Sequence, residues 1–332
     1  MFRFLAERKA GKLLGAALSQ HSPAAAQRLA GIAEGSGLRL HALALLNVFE
    51  ALLGSVEDCT AAPPLGACSA AAVRGARSVT GDPILAKNFD YLPAIQPYYV
   101  LRESRPRGQR RSLDFTVAPL CGTVDGINER GLAITYNYAF TVDGGAAAPT
   151  LSMAIAEALA SCDTVAEAAE RIATRPRWGS GLLMLADAAG DVASLELSNT
   201  RAHLRRPEGA EDVLFHTNCF FSDEMREVEL ARDAVFTRDA PAALTGQRVL
   251  ESPEVRRDRL ASLLSDAGRL GQDELAALMA DHGLTGQPDE NTLCMHGSYW
   301  ATTACLQLLP RSRRMRIAYE PACRATYREF EL

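Results

Sequence analysis

No stretch of the 332-residue chain stays apolar for the ~18 residues that a helix needs to cross a bilayer. The start also lacks the continuous apolar core of a secretory leader. Arg3, Glu7, Arg8, Lys9 and Lys12 are scattered through its apolar residues, so it reads as an amphipathic helix of a cytoplasmic protein. Positive charge is not in excess. Lys+Arg 35 against Asp+Glu 40 leaves a net charge of −5, which excludes a general electrostatic claim on nucleic acid or an anionic membrane. Eight cysteines form no Cys-x-x-Cys pair. The nearest approach to a metal motif is Cys294-Met295-His296, with no second pair at finger-like spacing, so neither a metal nor a cofactor is expected. The thiols read as small buried hydrophobes, and one of chemical use must be singled out by its surroundings. Internal repeats and low-complexity tails are missing too. What remains is a globular composition, 48% hydrophobic and 23% charged, long enough for one large domain or two ordinary ones.

Residues 1–54 read as helices. Ser22-Pro23 is a cap followed by proline at the first helical position, and leucines repeat at helical spacing from Leu38 to Leu53. The segment Ser55 to Ala67, with Pro63-Pro64 and Gly66, reads as an exposed loop and a place where a chain can be cut. Strand signals follow at Cys68–Val73, Ile84–Asp90, Tyr98–Glu103, Ser112–Val117 and Leu132–Tyr138, with Asp125–Gly131 as the turn before the last. Two helices are predicted at Leu151–Ala160 and Val165–Ala173, then strands at Leu182–Ala186, Val192–Leu197, Ala202–Arg206 and Val213–Thr217. Helices at Asp223–Phe236, Glu254–Leu264 and Asp273–Asp281 precede final strands at Thr303–Leu309 and Met315–Tyr319. Without βαβ alternation this order predicts an α+β fold, helices layered on antiparallel sheets. The arginines between Arg102 and Arg111 read as a solvated hairpin, the alternative being a phosphate-bearing substrate.

At Leu65-Gly-Ala-Cys-Ser-Ala70 a cysteine opens a strand directly after the small-residue loop. Cutting there frees an α-amine, whose pKa near 8 makes it a usable base beside the thiol. A small buried cysteine at a strand start explains the same letters.

Further motifs carry a resemblance. Cys68-Ser-Ala-Ala-Ala-Val73, Gly81-Asp82 and Ala86-Lys-Asn-Phe-Asp-Tyr91 resemble the opening of the isopenicillin-N acyltransferase-like family of autoprocessing cysteine Ntn hydrolases. Upstream, Leu29–Leu38 and Leu46-Asn-Val-Phe-Glu50 are similar to that family's propeptide. Downstream, Thr123–Asn137, His216-Thr-Asn-Cys-Phe220 and Thr292-Leu-Cys-Met-His296 resemble further family motifs in the same order. The resemblance implies an αββα four-layer sandwich, with residues 1–67 a propeptide retained as a small subunit and 68–332 the catalytic part. It makes Cys68 both cleavage residue, after Ala67, and acyl-accepting nucleophile. By the same resemblance Asp90 anchors the new α-amine and thiol, Asn218 stabilises the oxyanion and Asn137 lines the substrate pocket. The implied partner is a small amide or acyl-thioester, acyl-CoA included.

The sequence departs from the family pattern at Ala67, usually glycine, at Cys219 for histidine, at Lys87 for arginine, and at Met295 where arginine is common. The last leaves the guanidinium partner of the site unassigned. From the residues alone Asp90 reads as a strand-end turn residue, and the alternative for Asn218 is a buried amide tying a strand end. Cys59 competes as nucleophile, but Pro63-Pro64 would then fall inside the strand that must follow it. Two rival functions stand beside this one: an unprocessed binding protein on the same fold, and a papain-like protease pairing Cys68 with His216.

Overall fold

The computed structural model describes residues 2–54, 60–64, 66–208 and 211–332, the side chains of 2–7, 9, 53 and 54 excepted. Cys59 therefore lies outside the described residues. The chain opens with three helices, α1 (Phe2–His21), α2 (Pro23–Ser36) and α3 (Leu40–Gly54). Next come β1 (Gly66–Val73), β2 (Ile84–Tyr91), β3 (Tyr99–Ser104), β4 (Ser112–Val117), β5 (Asp125–Asn128) and β6 (Ala133–Tyr138). After α4 (Leu151–Ser161) and α5 (Val165–Thr174) the chain forms β7 (Gly181–Ala186), β8 (Val192–Leu197), β9 (Ala202–Arg205) and β10 (Val213–His216). It ends with α6 (Asp223–Arg226), α7 (Glu251–Asp266), α8 (Gln272–Met279), β11 (Ala301–Leu309), β12 (Arg314–Ala318) and β13 (Arg328–Glu331).

Neighbouring strands pair antiparallel in two sheets, ordered β10-β1-β2-β11-β12-β13 and β3-β4-β5-β6-β7-β8-β9. Alternation along the strands decides the layering. Phe89 of the first sheet and Phe115, Ile127 and Met184 of the second meet in a core between the sheets. Leu183 and Leu185, on the opposite face of β7, pack under Ile155 and Leu159 of α4 and Ile172 of α5. Ala71, Val73 and Ile84 face Leu260 and Leu264 of α7 and Leu275 of α8. The result is the αββα sandwich that the motifs imply.

The N-terminal helices pack as a cluster of their own. Leu14, Leu18, Leu29, Leu43 and Val48 are buried together with Cys121, Met153 and Trp178 from the sandwich. Polar bonds fix the seat: Asn47 Oδ1 accepts from the Cys121 N–H at 2.8 Å, and Arg28 donates to the Cys121 carbonyl at 3.1 Å. Among the described residues no helix is long and apolar enough to cross a membrane.

Two readings need correction. Asp125–Asn128 is a strand, not a turn, because both ends of this polar segment find buried partners: Asp125 meets Lys87, and Asn128 donates to the Leu159 and Cys162 carbonyls. The helix expected over Asp223–Phe236 stops at Arg226. The chain then bonds back to the segment after β6, Leu230 N–H to Phe140 O and Val142 N–H to Val228 O. The arginines of 102–111 lie on and around the β3–β4 hairpin, as expected: Arg102 is held by Asp114 and loop carbonyls, Arg110 by Asp163 and Arg111 by Glu129, while Arg105 and Arg107 are exposed. This arrangement leaves the phosphate reading unsupported.

Candidate active site

Hairpin β1–β2 builds the site. Its register sets Ala67 opposite Asp90 and Cys68 opposite Phe89, with Gly66 opposite Tyr91. Gly66 is required there, since a Cβ would fall 2.6 Å from the Tyr91 ring. Alternation then separates two faces. Cys68, Phe89 and Tyr91 turn toward the core between the sheets, whereas Asn88 and Asp90 turn toward the outer helices, where Asn88 donates to the Met279 carbonyl of α8.

On the outer face one guanidinium organises the backbone of Cys68. Arg256 Nη1 donates to the Cys68 carbonyl at 2.7 Å and to Ser69 Oγ at 2.8 Å, and Nη2 donates to Asn218 Oδ1 at 2.9 Å. Asp90 Oδ2 lies 3.9 Å from Nη1, and Asp90 Oδ1 accepts from Thr302 Oγ1 at 2.5 Å. The Cys68 N–H donates to Asn218 Oδ1 at 2.9 Å, so two donors converge on that atom and identify it as the oxygen of the amide. The amide nitrogen is held by the Tyr138 carbonyl at 2.8 Å. Burial pushes the Asp90 carboxyl up to about 6, against the pull of Arg256, Thr302 and Lys87.

The inner face holds the thiol. Burial pushes it up to about 12, with Lys87 as the main opposing influence and the Asp90 backbone N–H bonded to the sulfur. Lys87 is itself fully buried, donating to both Asp125 oxygens at 2.7 and 3.0 Å, so the lysine supplies charge without the guanidinium fork. Cys68 opens on a small cavity of about 30 Å³ that shares Glu50, Tyr91, Val117, Tyr136 and Tyr138 with a cavity of about 480 Å³. The larger wall is mostly apolar, and Leu38, Leu46, Phe49 and Glu50 of the N-terminal helices form part of it. Leu38 and Leu46 belong to the leucine repeat that reads as a helix face to be packed. They face this cavity instead, and Leu43, Val48 and Ala51 take the packed face of α3. Glu50, raised by burial, accepts from the Tyr91 hydroxyl at 3.1 Å where the two cavities meet.

The structure thus brings Cys68, Asp90 and Asn218 together. Asn137 sits behind them. Its neighbours Tyr136 and Tyr138 line the cavity, while Asn137 Nδ2 donates to the Thr217 carbonyl at 3.0 Å and steadies the segment that carries Asn218. Cys219, in the place of the family histidine, meets Thr217 and Arg257. His216 bonds Ser194 Oγ through Nδ1, and its Nε2 has no hydrogen-bond partner among the described residues, so the Cys–His pair of the protease reading is not formed.

The missing guanidinium is Arg256, not a residue at position 295. A signal for it exists in the sequence: the buried stripe of α7 is Pro253, Arg256, Leu260 and Leu264, an arginine where helical periodicity asks for an apolar residue. Glu50 stood within a recognised motif but had no role until the fold carried α3 to the thiol.

The sequence profile of the acyl-coenzyme A:6-aminopenicillanic acid acyl-transferase family matches residues 78–317. The chain belongs to this family. The matched span takes in Asp90, Asn137, Asn218 and Arg256 and begins beyond Cys68. A search of curated proteins finds no significant match. Among solved structures, a Caenorhabditis elegans N-acylethanolamine-hydrolyzing acid amidase ortholog superposes with TM-score 0.49 at 12% identity, over 74% of this chain and 93% of that one. A conjugated bile acid hydrolase from Clostridium perfringens gives 0.46 at 14%, over 80% and 97%. Penicillin V acylase from Agrobacterium tumefaciens gives 0.47 at 15%, over 80% and 86%.

Proposed function

We propose that the chain is the precursor of an N-terminal-cysteine acyl-transfer enzyme that cuts itself between Ala67 and Cys68. The observation that carries this is the convergence on one residue: Cys68 has its amide nitrogen on Asn218, its carbonyl on Arg256 and its thiol at the mouth of an apolar cavity. In the first step Sγ attacks the Ala67 carbonyl carbon, the C–N bond to Cys68 breaks, and a proton passes to the departing nitrogen. Water then hydrolyses the thioester. This leaves a carboxyl at Ala67 and a free amine and thiol at Cys68. Asn218 Oδ1 already holds that nitrogen, and Asp90 with Arg256 flanks it, a setting that keeps the new amine in place as the base for its own thiol.

In turnover the thiol attacks the carbonyl of an amide or acyl-thioester, the amine or thiol of the donor leaves with a proton, and water or an amine resolves the Cys68 thioester. The apolar wall of the cavity suits an apolar acyl group, and exclusion of water decides between hydrolysis and transfer. Residues 1–67 are the small subunit of this reading, because α3 forms part of the acyl pocket.

Incubating matured protein with amides and thioesters of apolar acids is expected to add the mass of the acyl group to the fragment that begins at Cys68. Leu46→Asp, which puts a charge into the pocket wall and spares the helix core, should raise KM for these donors about tenfold or more while self-cleavage continues. Acylation at another residue, or none with any acyl class, would overturn the reading.

Asn218 offers a second test. The oxyanion role calls on Nδ2, which the Tyr138 carbonyl occupies in the continuous chain, and Oδ1 acts on the nitrogen side of the scissile bond. Asn218→Ala should slow turnover roughly 10²–10³-fold. Asn218→Asp keeps an acceptor for the amine and removes the donor, so it separates the roles: retained cleavage with lost turnover assigns the oxyanion, and retention of both assigns the amine. An Asn218→Ala protein of normal rate would remove the residue from the site.

A further inference from the structure

Beyond the acyl-transfer site, four potential metal ligands from separate segments converge at the edge of the first sheet. His282 follows α8, Cys294 and His296 lie on the loop before β11, and Cys323 sits in the short turn Ala322–Arg324. One donor atom from each lies within 4.8 Å of all the others. Cys294 Sγ is 3.4 Å and Cys323 Sγ 3.5 Å from His296 Nε2. A zinc about 2.3 Å from sulfur and about 2.0–2.1 Å from nitrogen sets tetrahedral neighbours roughly 3.3–3.8 Å apart, and both thiols stand at that spacing from His296 Nε2. His282 Nε2 is buried with no hydrogen-bond partner among the described residues. The supporting bonds are those of a built site. The Cys323 N–H donates to Cys294 Sγ at 3.4 Å, the Cys294 N–H to the Asp281 carbonyl at 3.0 Å, and the His296 N–H to the Asp289 carbonyl at 3.1 Å.

We propose that His282, Cys294, His296 and Cys323 bind a structural zinc ion. Two thiols and two imidazoles in a tetrahedral arrangement are the donor set zinc prefers, and four protein ligands leave no open position for chemistry. The ion would tie the C-terminal turn to the loop before β11, and that loop is tied in turn to the candidate active site. Met295, between two of the ligands, donates its N–H to Thr302 Oγ1 at 2.8 Å and accepts the Thr302 N–H at 2.9 Å. Thr302 Oγ1 is the group that holds Asp90. Only Cys294 and His296 are close in the chain, so spacing along the sequence shows half of the set and the fold brings the rest.

The test is metal content, measured on the full chain and independent of whether it cleaves itself. Protein expressed with zinc and dialysed against metal-free buffer should retain one zinc per chain. Cobalt in its place should show tetrahedral d–d bands and thiolate charge transfer. Cys323→Ser with His282→Gln, two substitutions at partly exposed positions, should reduce the retained zinc to less than a tenth and lower the thermal midpoint. Single-residue Cys323→Ser should weaken the cobalt charge-transfer band even where the double variant does not fold. Wild-type protein free of zinc with all thiols reduced, zinc kept by the double variant, or a Cys294–Cys323 disulfide in freshly purified protein would each overturn the site.

Discussion

Arg256→Leu is expected to cost about 3–5 kcal/mol of folding stability, the range seen when one partner of a buried ion pair is removed. The guanidinium is fully buried and donates to the Cys68 carbonyl, Ser69 Oγ, Asn218 Oδ1 and Ser252 Oγ. Leucine fills much of the space but leaves these acceptors without a donor and Asp90 without its nearest cation. The pH dependence has a definite sign. Arg256 lowers the Asp90 pKa, so its loss raises a value that already stands at about 6. Above about 6 the wild type ionises Asp90 with the help of the guanidinium, whereas the variant must keep the acid protonated or ionise it without that cation, so the deficit grows. Below it both proteins hold a neutral carboxyl, and this part of the deficit disappears. Denaturant unfolding at pH 5 and pH 8 should therefore show a larger gap between variant and wild type at pH 8. Arg256→Lys keeps the charge without the fork and should fall between the two. A deficit under about 1 kcal/mol, the value of an exposed pair, would remove Arg256 from the organising role.

The legible parts of this protein were those in which chemistry and periodicity agree. Cys68, Asp90 and Asn218 stood at strand ends beside turn residues, and their order along the chain carried the resemblance that places them together. β1, buried on both faces, announced itself as a run of small apolar residues after a turn-rich loop. What stayed hidden depends on partners distant in sequence. Arg256 stands out only as an arginine on an otherwise apolar helix stripe, and its target stays unknown until α7 lies across Cys68. Asp125 and Asn128 look like turn residues until Lys87 and the end of α4 satisfy them. Leu38 and Leu46 belong to the same leucine pattern as the packed positions of α3, and only the docking of α3 beside Tyr91 and Tyr138 shows that they face a cavity. Local signals state which side chains want burial. They do not state which of two available surfaces will bury them, nor which segments will bring four donors to one point.

Wild-type protein should mature to two fragments, residues 1–67 and 68–332, and Cys68→Ala should remain one chain. The expectation rests on the state of the thiol as well as on its position. In the continuous chain burial pushes Cys68 up to about 12, so that the thiol stays protonated at neutral pH and alkylation is slow. Cleavage supplies the group this environment lacks, a neutral amine attached to the same residue, with a pKa near 8. Alkylation of Cys68 should accelerate by orders of magnitude between the precursor and the matured protein, and that difference separates an activated nucleophile from a cysteine that merely starts a strand. The fragments should then co-elute on native gel filtration. Leu14, Leu18, Leu29, Leu43 and Val48 are buried in the shared cluster at about 1.5–3 kcal/mol each, and Asn47 and Arg28 bond across the junction. Separation of the fragments would refute α3 as a lasting wall of the acyl pocket. A new N-terminus at Cys59, or a Cys68→Ala chain that still divides, would refute Cys68 as the cleaving residue.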